Sequence, residues 1–486
     1  MAARRRRSKR RSAASCASPK RPEAVYFVDR YLGRRIVPEA LRQAGMRVEV
    51  HDDHFAADAP DVQWLAVVGQ RGWVVLTKDE RIRRRSSELP VGRAMAAAAC
   101  RERPPGRCCG RPAGALRGNR PERGGRMQFG LLYEIEVPRP WTETSVSDGF
   151  WEALEQVKVA EEVGFSHVFS VEHHFLDQFS VASAPEVWLA AVAQHTSKIR
   201  IGHGVRLLPF SYNNPIRAAE MAATLDIMSR GRLDFGTGRS ASALELEGFG
   251  IDPSLTRAQW DEALRMIPRM WTQDEFSWDS PTFKMPPRNV LPKPVQKPHP
   301  PIWMSGTQPE SAILAGERGI GFMHFSLSDP FGMDAKVRSY RDALARARPV
   351  GEFIHDQFAA FTILFCGRDD ADAAARAGEG ATWYANLVEL VYASLGTLSA
   401  DESYAWYRER IAREAYRERD LQELVDRRSV IIGGPRRCIE SIEWYASQGV
   451  DMMLLLRHDD IVDSLRRFGS EVLPHFAGRR RRRAAG

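Results

Sequence analysis

Several short clusters in this 486-residue sequence combine residue types that chemistry needs. Glu172-His173-His174-Phe175 sets a carboxylate beside two imidazoles. Histidine is the side chain best suited to proton transfer near neutral pH. A metal site is the other use of such residues. Adjacent residues on an extended segment point to opposite sides, which argues against both rings holding one ion. No HxH or HExxH spacing appears either. Of the pair, His173 is expected to face a cavity, with His174 next in line. Gly236-Thr237-Gly238-Arg239-Ser240 offers close backbone approach, an always-charged fork of donors, and hydroxyls. Ser305-Gly306-Thr307 leads into a helix opening with Pro309-Glu310-Ser311. Free N–H groups and the dipole at such a helix start favour a dianion. Each motif alone reads as an ordinary turn, but both at one mouth predict a phosphate site. A fourth set, Asp29, Glu39, Asp61 and Asp79, falls where strands end or helices begin. Carboxylates converging at strand ends can hold magnesium for phosphodiester cleavage; the same acids also serve as helix caps.

The elements that must position these residues alternate from residue 127 onward. Strands are predicted over 128–132, 167–171, 199–208, 232–235, 302–304, 321–325, 361–365 and 452–456. Each is followed by helical material, such as 150–163 closed by Gly164 and 215–228 with proline in its first turn. Eight strand–helix repeats predict a (β/α)8 barrel with insertions. An open doubly wound sheet is the alternative, weakened because no GxGxxG follows the first strand. A barrel collects its chemistry at the C-terminal strand ends, and the clusters fall there. Glu172-His173-His174 follows the second strand, the Arg239 turn the fourth, the Ser305 turn the fifth, and Arg457-His458 the eighth. Upstream, strands over 25–28, 47–50 and 73–76 alternate with helices over 36–45 and 61–69. That alternation predicts a small parallel α/β unit.

Composition narrows the function classes. The net charge of +8 divides unevenly along the chain. Residues 1–126 carry 29 Lys and Arg against 13 Asp and Glu, and residues 479–483 are all arginine. Residues 127–478 carry 36 basic and 49 acidic residues, which argues against nucleic acid as the barrel's partner. The longest apolar runs, 94–100 and 187–193, are far too short to span a membrane. The six cysteines show neither a disulfide framework nor zinc spacing, so a reducing cytoplasm is expected. Residues 1–23 and 479–486 are expected to be basic disordered tails. Residues 96–126, rich in Arg, Pro, Gly and Cys, are expected to be a low-complexity linker. Met127 opens the first barrel strand as a natural initiator would.

Residues 127–476 closely resemble the luciferase-like flavin monooxygenases, the family of bacterial luciferase. The likeness rests on Ala160-Glu161-Glu162-Val163-Gly164-Phe165, Glu172-His173-His174-Phe175, Ile199-Arg200-Ile201-Gly202 and Pro215-Ile216-Arg217-Ala218-Ala219-Glu220. It continues through Leu225-Asp226-Ile227-Met228-Ser229-Arg230-Gly231-Arg232, Phe235-Gly236-Thr237-Gly238-Arg239, Pro298-His299-Pro300-Pro301-Ile302-Trp303 and Gly433-Gly434-Pro435. The resemblance implies a (β/α)8 barrel that takes FMN, usually reduced by a separate NAD(P)H flavin reductase, and uses molecular oxygen on a small organic substrate. Carried over by position, Arg239 and Ser311 would grip the FMN phosphate, with Ser305, Gly306, Thr307 and Gly238 close by. His173 would sit beside the flavin ring. Gly204-Val205 falls where the family often has a cis non-proline peptide under the flavin. Asn214 departs from a histidine frequent in the family, and Gly238 from the cysteine of luciferase itself, which argues against light emission. A deazaflavin-dependent oxidoreductase on the same barrel, needing no oxygen, is the alternative enzyme, and a homodimer is compatible with either.

Residues 24–95 resemble a PIN-like domain of the toxin-nuclease type. The matching residues are Val28-Asp29-Arg30, Pro38-Glu39-Ala40-Leu41-Arg42, Asp61-Val62-Gln63-Trp64-Leu65 and 72–79. The likeness makes Asp29, Glu39, Asp61 and Asp79 the metal carboxylates of a magnesium-dependent ribonuclease acting on nucleic acid. It fades after Glu88, before a further helix and strand that would complete the sheet.

Overall fold

A computed structural model describes residues 25–29, 36–43, 47–56, 59, 61–71, 73–76, 127–240, 242–327, 330, 332–398, 404–405, 408–409, 419–456 and 461–477. The chain divides into two compact units, Met1–Gly114 and Ala115–Gly486. Among the described residues no helix is long and apolar enough to cross a membrane. The expected tails, the linker 96–126 and Arg457-His458 lie outside the described residues.

In the N-terminal unit, β1 (Val25–Val28), β2 (Arg47–Val50) and β3 (Val74–Leu76) form a parallel sheet in the order β2-β1-β3. The parallel α/β unit is as the sequence predicts, and the strand order is set by the structure. Its core is aromatic: Phe27 on the central strand stacks on Trp64 at 5.4 Å and on Trp73 at 5.9 Å.

The second unit is a closed barrel. Its eight staves are β4 (Gln128–Tyr133), β5 (His167–Ser170), β6 (Arg200–His203), β8 (Leu233–Gly238), β11 (Ile302–Gly306), β12 (Gly321–Phe325), β13 (Phe358–Cys366) and β15 (Met452–Leu456). All their pairings are parallel, and β8 against β11 closes the ring. Parallel staves covered by helices are buried on both faces, so they read as apolar runs. Every residue of Phe358-Ala359-Ala360-Phe361-Thr362-Ile363-Leu364-Phe365-Cys366 is buried. The eight predicted strands are these eight staves.

Four details differ from the prediction. The segment expected as one strand over 199–208 breaks into β6 and the two-residue β7 (Arg206–Leu207), with a cis peptide at Gly204–Val205 between them. Strand β8 runs on through Gly236-Thr237-Gly238, where glycine content predicted a turn. The glycines serve close approach instead. A Cβ on Gly236 would lie 1.9 Å from the His203 carbonyl oxygen, and one on Gly238 2.4 Å from Val205. An antiparallel hairpin of β9 (Phe276–Asp279) and β10 (Lys284–Arg288) fills the connection after β8. The short β14 (Val430–Gly433) pairs with the far end of β13.

Helix ends follow local chemistry. Helix Ser145–Val163 stops at Gly164, which takes a left-handed φ of 105°. Helix Pro215–Met228 starts at Asn214, whose side chain accepts from the Ile216 amide, with Pro215 in the first turn.

Candidate active site

A cleft opens at the C-terminal ends of the barrel strands. It is lined by Leu132 of β4 and Glu134 just after it, from the β5 end by Glu172 and His173, by Gly204 and Val205 between β6 and β7, and by Leu207 of β7. Gly238, Arg239 and Ser240 line it from β8, and Ser305, Gly306, Thr307, Gln308 and Ser311 from the β11 end. Every cofactor residue expected from the sequence therefore borders one space, as does His173. His174 does not. Its ring lies against Tyr212, parallel at 5.9 Å, and edge-on to Phe249 at 4.8 Å.

The register of the barrel brings the two phosphate-type motifs together. Arg239 is the first residue after β8, and Ser311 stands in the first turn of helix Pro309–Glu317 after β11. These strands pair directly, Ile302 opposite Phe235 and Met304 opposite Thr237. The Thr237 hydroxyl tightens the seam by donating to the Trp303 carbonyl at 3.0 Å while accepting from Trp260 at 3.1 Å. The Arg239 guanidinium lies over the Tyr404 ring at 4.8 Å. Arg257 also borders the cleft, a second cation that sequence reading missed.

The opposite side of the cleft is a cluster of buried ionisable groups. His173 Nδ1 lies 2.9 Å from Glu245 Oε1, and its Nε2 lies 3.6 Å from Glu134 Oε2. Burial works against a charged ring here, but the Glu245, Glu134 and Glu172 carboxylates outweigh it and lift His173 to about 9. Burial pushes the Glu134 carboxyl up to about 7, against the opposing pull of His173. Glu245 is fully buried and stays ionised. His173, the His174 amide and the Ser240 hydroxyl more than offset its burial and hold it below the usual carboxylate range. Its second oxygen accepts from Ser240 and Ser242, each at 3.0 Å. Glu172 is held otherwise, accepting from the Leu207 amide at 2.8 Å and the Asn213 amide group at 2.9 Å.

Sequence reading missed Glu134 and Glu245. A lone glutamate after an apolar strand looks like a solvated strand end. Glu245 lies 72 residues from its histidine. Its one local signal is Ser242-Ala243-Leu244-Glu245, a capping pattern that announces a helix start but no partner.

In the N-terminal unit, Asp29 is buried at the C-terminal end of the central strand, and Glu39 is exposed on helix Ile36–Gln43. Asp61 opens helix Asp61–Gln70, but its side chain and all of Asp79 lie outside the described residues. Among the described residues no group of three His, Cys, Asp or Glu could hold a metal ion.

Comparison with known proteins decides the family. The model of the luciferase-like monooxygenases matches residues 127–452. The chain belongs to that family. A PIN-like domain model matches residues 24–98. The oxygenase component of a flavin-dependent trigonelline monooxygenase from Acinetobacter baylyi is 31% identical over 196 residues, 40% of this chain and 52% of the relative. The chain spans about half the length of the first curated relatives it matches. Among solved structures, the barrel fold recurs in the oxygenating constituent of 3,6-diketocamphane monooxygenase from Pseudomonas putida in complex with FMN. That protein is 20% identical with a TM-score of 0.59, over 72% of this chain and 99% of the other. It recurs equally in an F420-dependent secondary alcohol dehydrogenase, 20% identical with a TM-score of 0.53 over 72% and 99%. Within this family, the barrel's C-terminal cleft is the candidate active site.

Proposed function

We propose that residues 127–478 form an FMN-dependent monooxygenase that uses reduced FMN and molecular oxygen to oxidise a small organic substrate. The observation that carries this reading is the meeting of Arg239 and the Ser311 helix start at neighbouring strand ends, in the same cleft as His173. The residues present suit a phosphate monoester. Arg239 supplies a fixed double charge-assisted donor, and Thr307 and Ser311 supply hydroxyls beside a helix start. Gly306 is a cradle that a side chain would fill, since its Cβ would lie 2.5 Å from that of Ser311.

When bound, reduced FMN supplies the two electrons that oxygen activation requires. The chain supplies the rest. Arg239, Thr307 and Ser311 anchor the phosphate. Leu132, Val205, Met304, Phe325 and Phe361 give the cleft an apolar lining that excludes water from the reacting centre. His173, charged at neutral pH and oriented through Nδ1 by Glu245, presents Nε2 as a proton donor. In this reading a separate flavin reductase delivers the reduced cofactor in the cytoplasm.

The test is a titration of the full chain with FMN, riboflavin and a deazaflavin, followed by oxygen uptake with FMN, NADH and a flavin reductase over a substrate panel. Tight FMN binding and substrate-dependent oxygen uptake are expected. Turnover without oxygen on the deazaflavin, with FMN ignored, would overturn the reading in favour of a deazaflavin oxidoreductase.

A further inference from the structure

We propose that Glu134 is the proton-exchanging partner of His173, and that Glu245 is the residue that positions the ring. This deepens the monooxygenase reading, and rests on it only for the identity of the molecule that takes the proton.

The two carboxylates that bracket the imidazole are built differently. Glu245 is fully buried, does not border the cleft, and has both oxygens engaged by hydroxyls, an amide and His173 Nδ1. A carboxylate so saturated stays charged and fixed, which suits orientation and excludes proton release. Glu134 borders the cleft beside His173, yet it is 4% exposed, and its Oε2 makes no hydrogen bond. A buried carboxylate oxygen with no hydrogen bond is costlier when charged than when protonated, even with the His173 ring as its one close charged neighbour. It faces His173 Nε2 at 3.6 Å, within one small rotation of hydrogen-bond contact. The other groups acting on it are Glu136, Tyr384 and Glu245. Glu136 and Glu245 favour its protonated form, while His173 and Tyr384 favour the charged one. Its position near 7 means that both protonation states are populated where the enzyme would work.

The step balances as a proton relay with no change in electron count. The Nε2–H bond of the His173 imidazolium breaks, and its proton passes to a basic oxygen or nitrogen of the molecule reacting in the cleft. The ring is left neutral, with Nδ1–H held on Glu245. The O–H bond of the Glu134 carboxyl then breaks and Nε2–H re-forms. The Glu134 carboxylate then takes up a proton from hydronium or a buffer acid at the cleft mouth, so one solvent proton replaces the one passed to the reacting molecule.

Two measurements on the full chain test this. The first needs no cofactor: NMR titration of ¹⁵N-labelled histidine, with His173 assigned by its loss in His173→Gln. Wild type is expected to show His173 titrating in two steps, because ring and carboxyl share their protons. Glu134→Gln should leave one step, displaced to lower pH. Identical single-step curves in both proteins would overturn the proposal. The second is the pH profile of product formation with reduced FMN. Glu134→Gln should bind FMN as wild type does, form product about a hundredfold more slowly, and lose the limb near pH 7, with Glu134→Asp recovering part of both. An unchanged profile would also overturn it. Failure of wild type to bind FMN sinks the monooxygenase reading alone, because the cofactor-free titration still decides the role of Glu134.

Discussion

Gly306 and Ser311 touch so closely that a Cβ added to the glycine would lie 2.5 Å from the Ser311 Cβ and 2.7 Å from its hydroxyl oxygen. Real carbon contacts do not come that near, so Gly306→Ala must push the start of helix Pro309–Glu317 away from the cleft. FMN affinity should fall about tenfold or more while riboflavin affinity holds, because only the former has a phosphate to lose. Fluorescence titration of both ligands checks it; equal losses would mean that the glycine serves the ring and not the phosphate.

Arg239→Ala removes a charge-assisted donor. Such a contact is worth about 1.5–3 kcal/mol, or about 10- to 150-fold in affinity. The loss should appear with FMN and not with riboflavin. A variant that weakens both equally, or neither, excludes Arg239 as the phosphate ligand.

His173→Ala should spare FMN affinity, since Arg239 and Ser311, proposed to hold the phosphate, stand at the ends of other strands. It should release more hydrogen peroxide and less oxidised product per NADH consumed. Peroxide yield measured beside product yield reads this directly, and unchanged coupling would exclude His173 from the oxygen chemistry.

Acid should destabilise the barrel through histidines it buries neutral. Burial holds His167 down at about 4 and His203 at about 3, against 6.5 when unfolded. The folded protein therefore binds fewer protons than the unfolded chain below pH 6.5. The stability gained is complete above that pH and is lost as pH falls through about 4 and then about 3. His167 is worth on the order of 3 kcal/mol and His203 on the order of 5 kcal/mol. Melting temperature should drop steeply below pH 6.5, and less steeply in His203→Leu. A melting temperature flat from pH 7 to 4 would refute this.

Residues 127–478 expressed alone should match the full chain in melting temperature and FMN affinity. The charge changes sign near residue 126, and the barrel buries its own core. An insoluble fragment, or one binding FMN more than about tenfold weaker, would show that the N-terminal segment belongs to the working fold.

How much was legible follows from where the signal was local. Staves such as β13 and β15 announce themselves as apolar runs closed by breakers, and helix Pro215–Met228 by its asparagine cap and proline. The hairpin was not legible because Lys284-Met285-Pro286-Pro287-Arg288 is mostly exposed and carries two prolines, the composition of a loop. Strand β14 was lost because three apolar residues and a glycine between helices have no period to read. In the site, Arg239 and Ser311 could be named from turn chemistry. The approach of Glu134 and Glu245 to His173 is set by closure of the ring, and no window of sequence contains it.

The shared carboxylate of Glu245 has a consequence for redesign. One of its oxygens is held by Ser240, next to Arg239, and the other by His173. The strand end bearing Arg239, proposed to hold the cofactor's phosphate, and the strand end bearing His173, proposed to handle protons, therefore hang from a single pivot. If Arg239 holds the cofactor's tail as proposed, replacing Ser240 or Ser242 to accept a longer or less charged tail would disturb the imidazole as well. A change of cofactor preference in this lineage is not a local edit: it must carry compensating changes around position 245, or arrive with its chemistry out of tune.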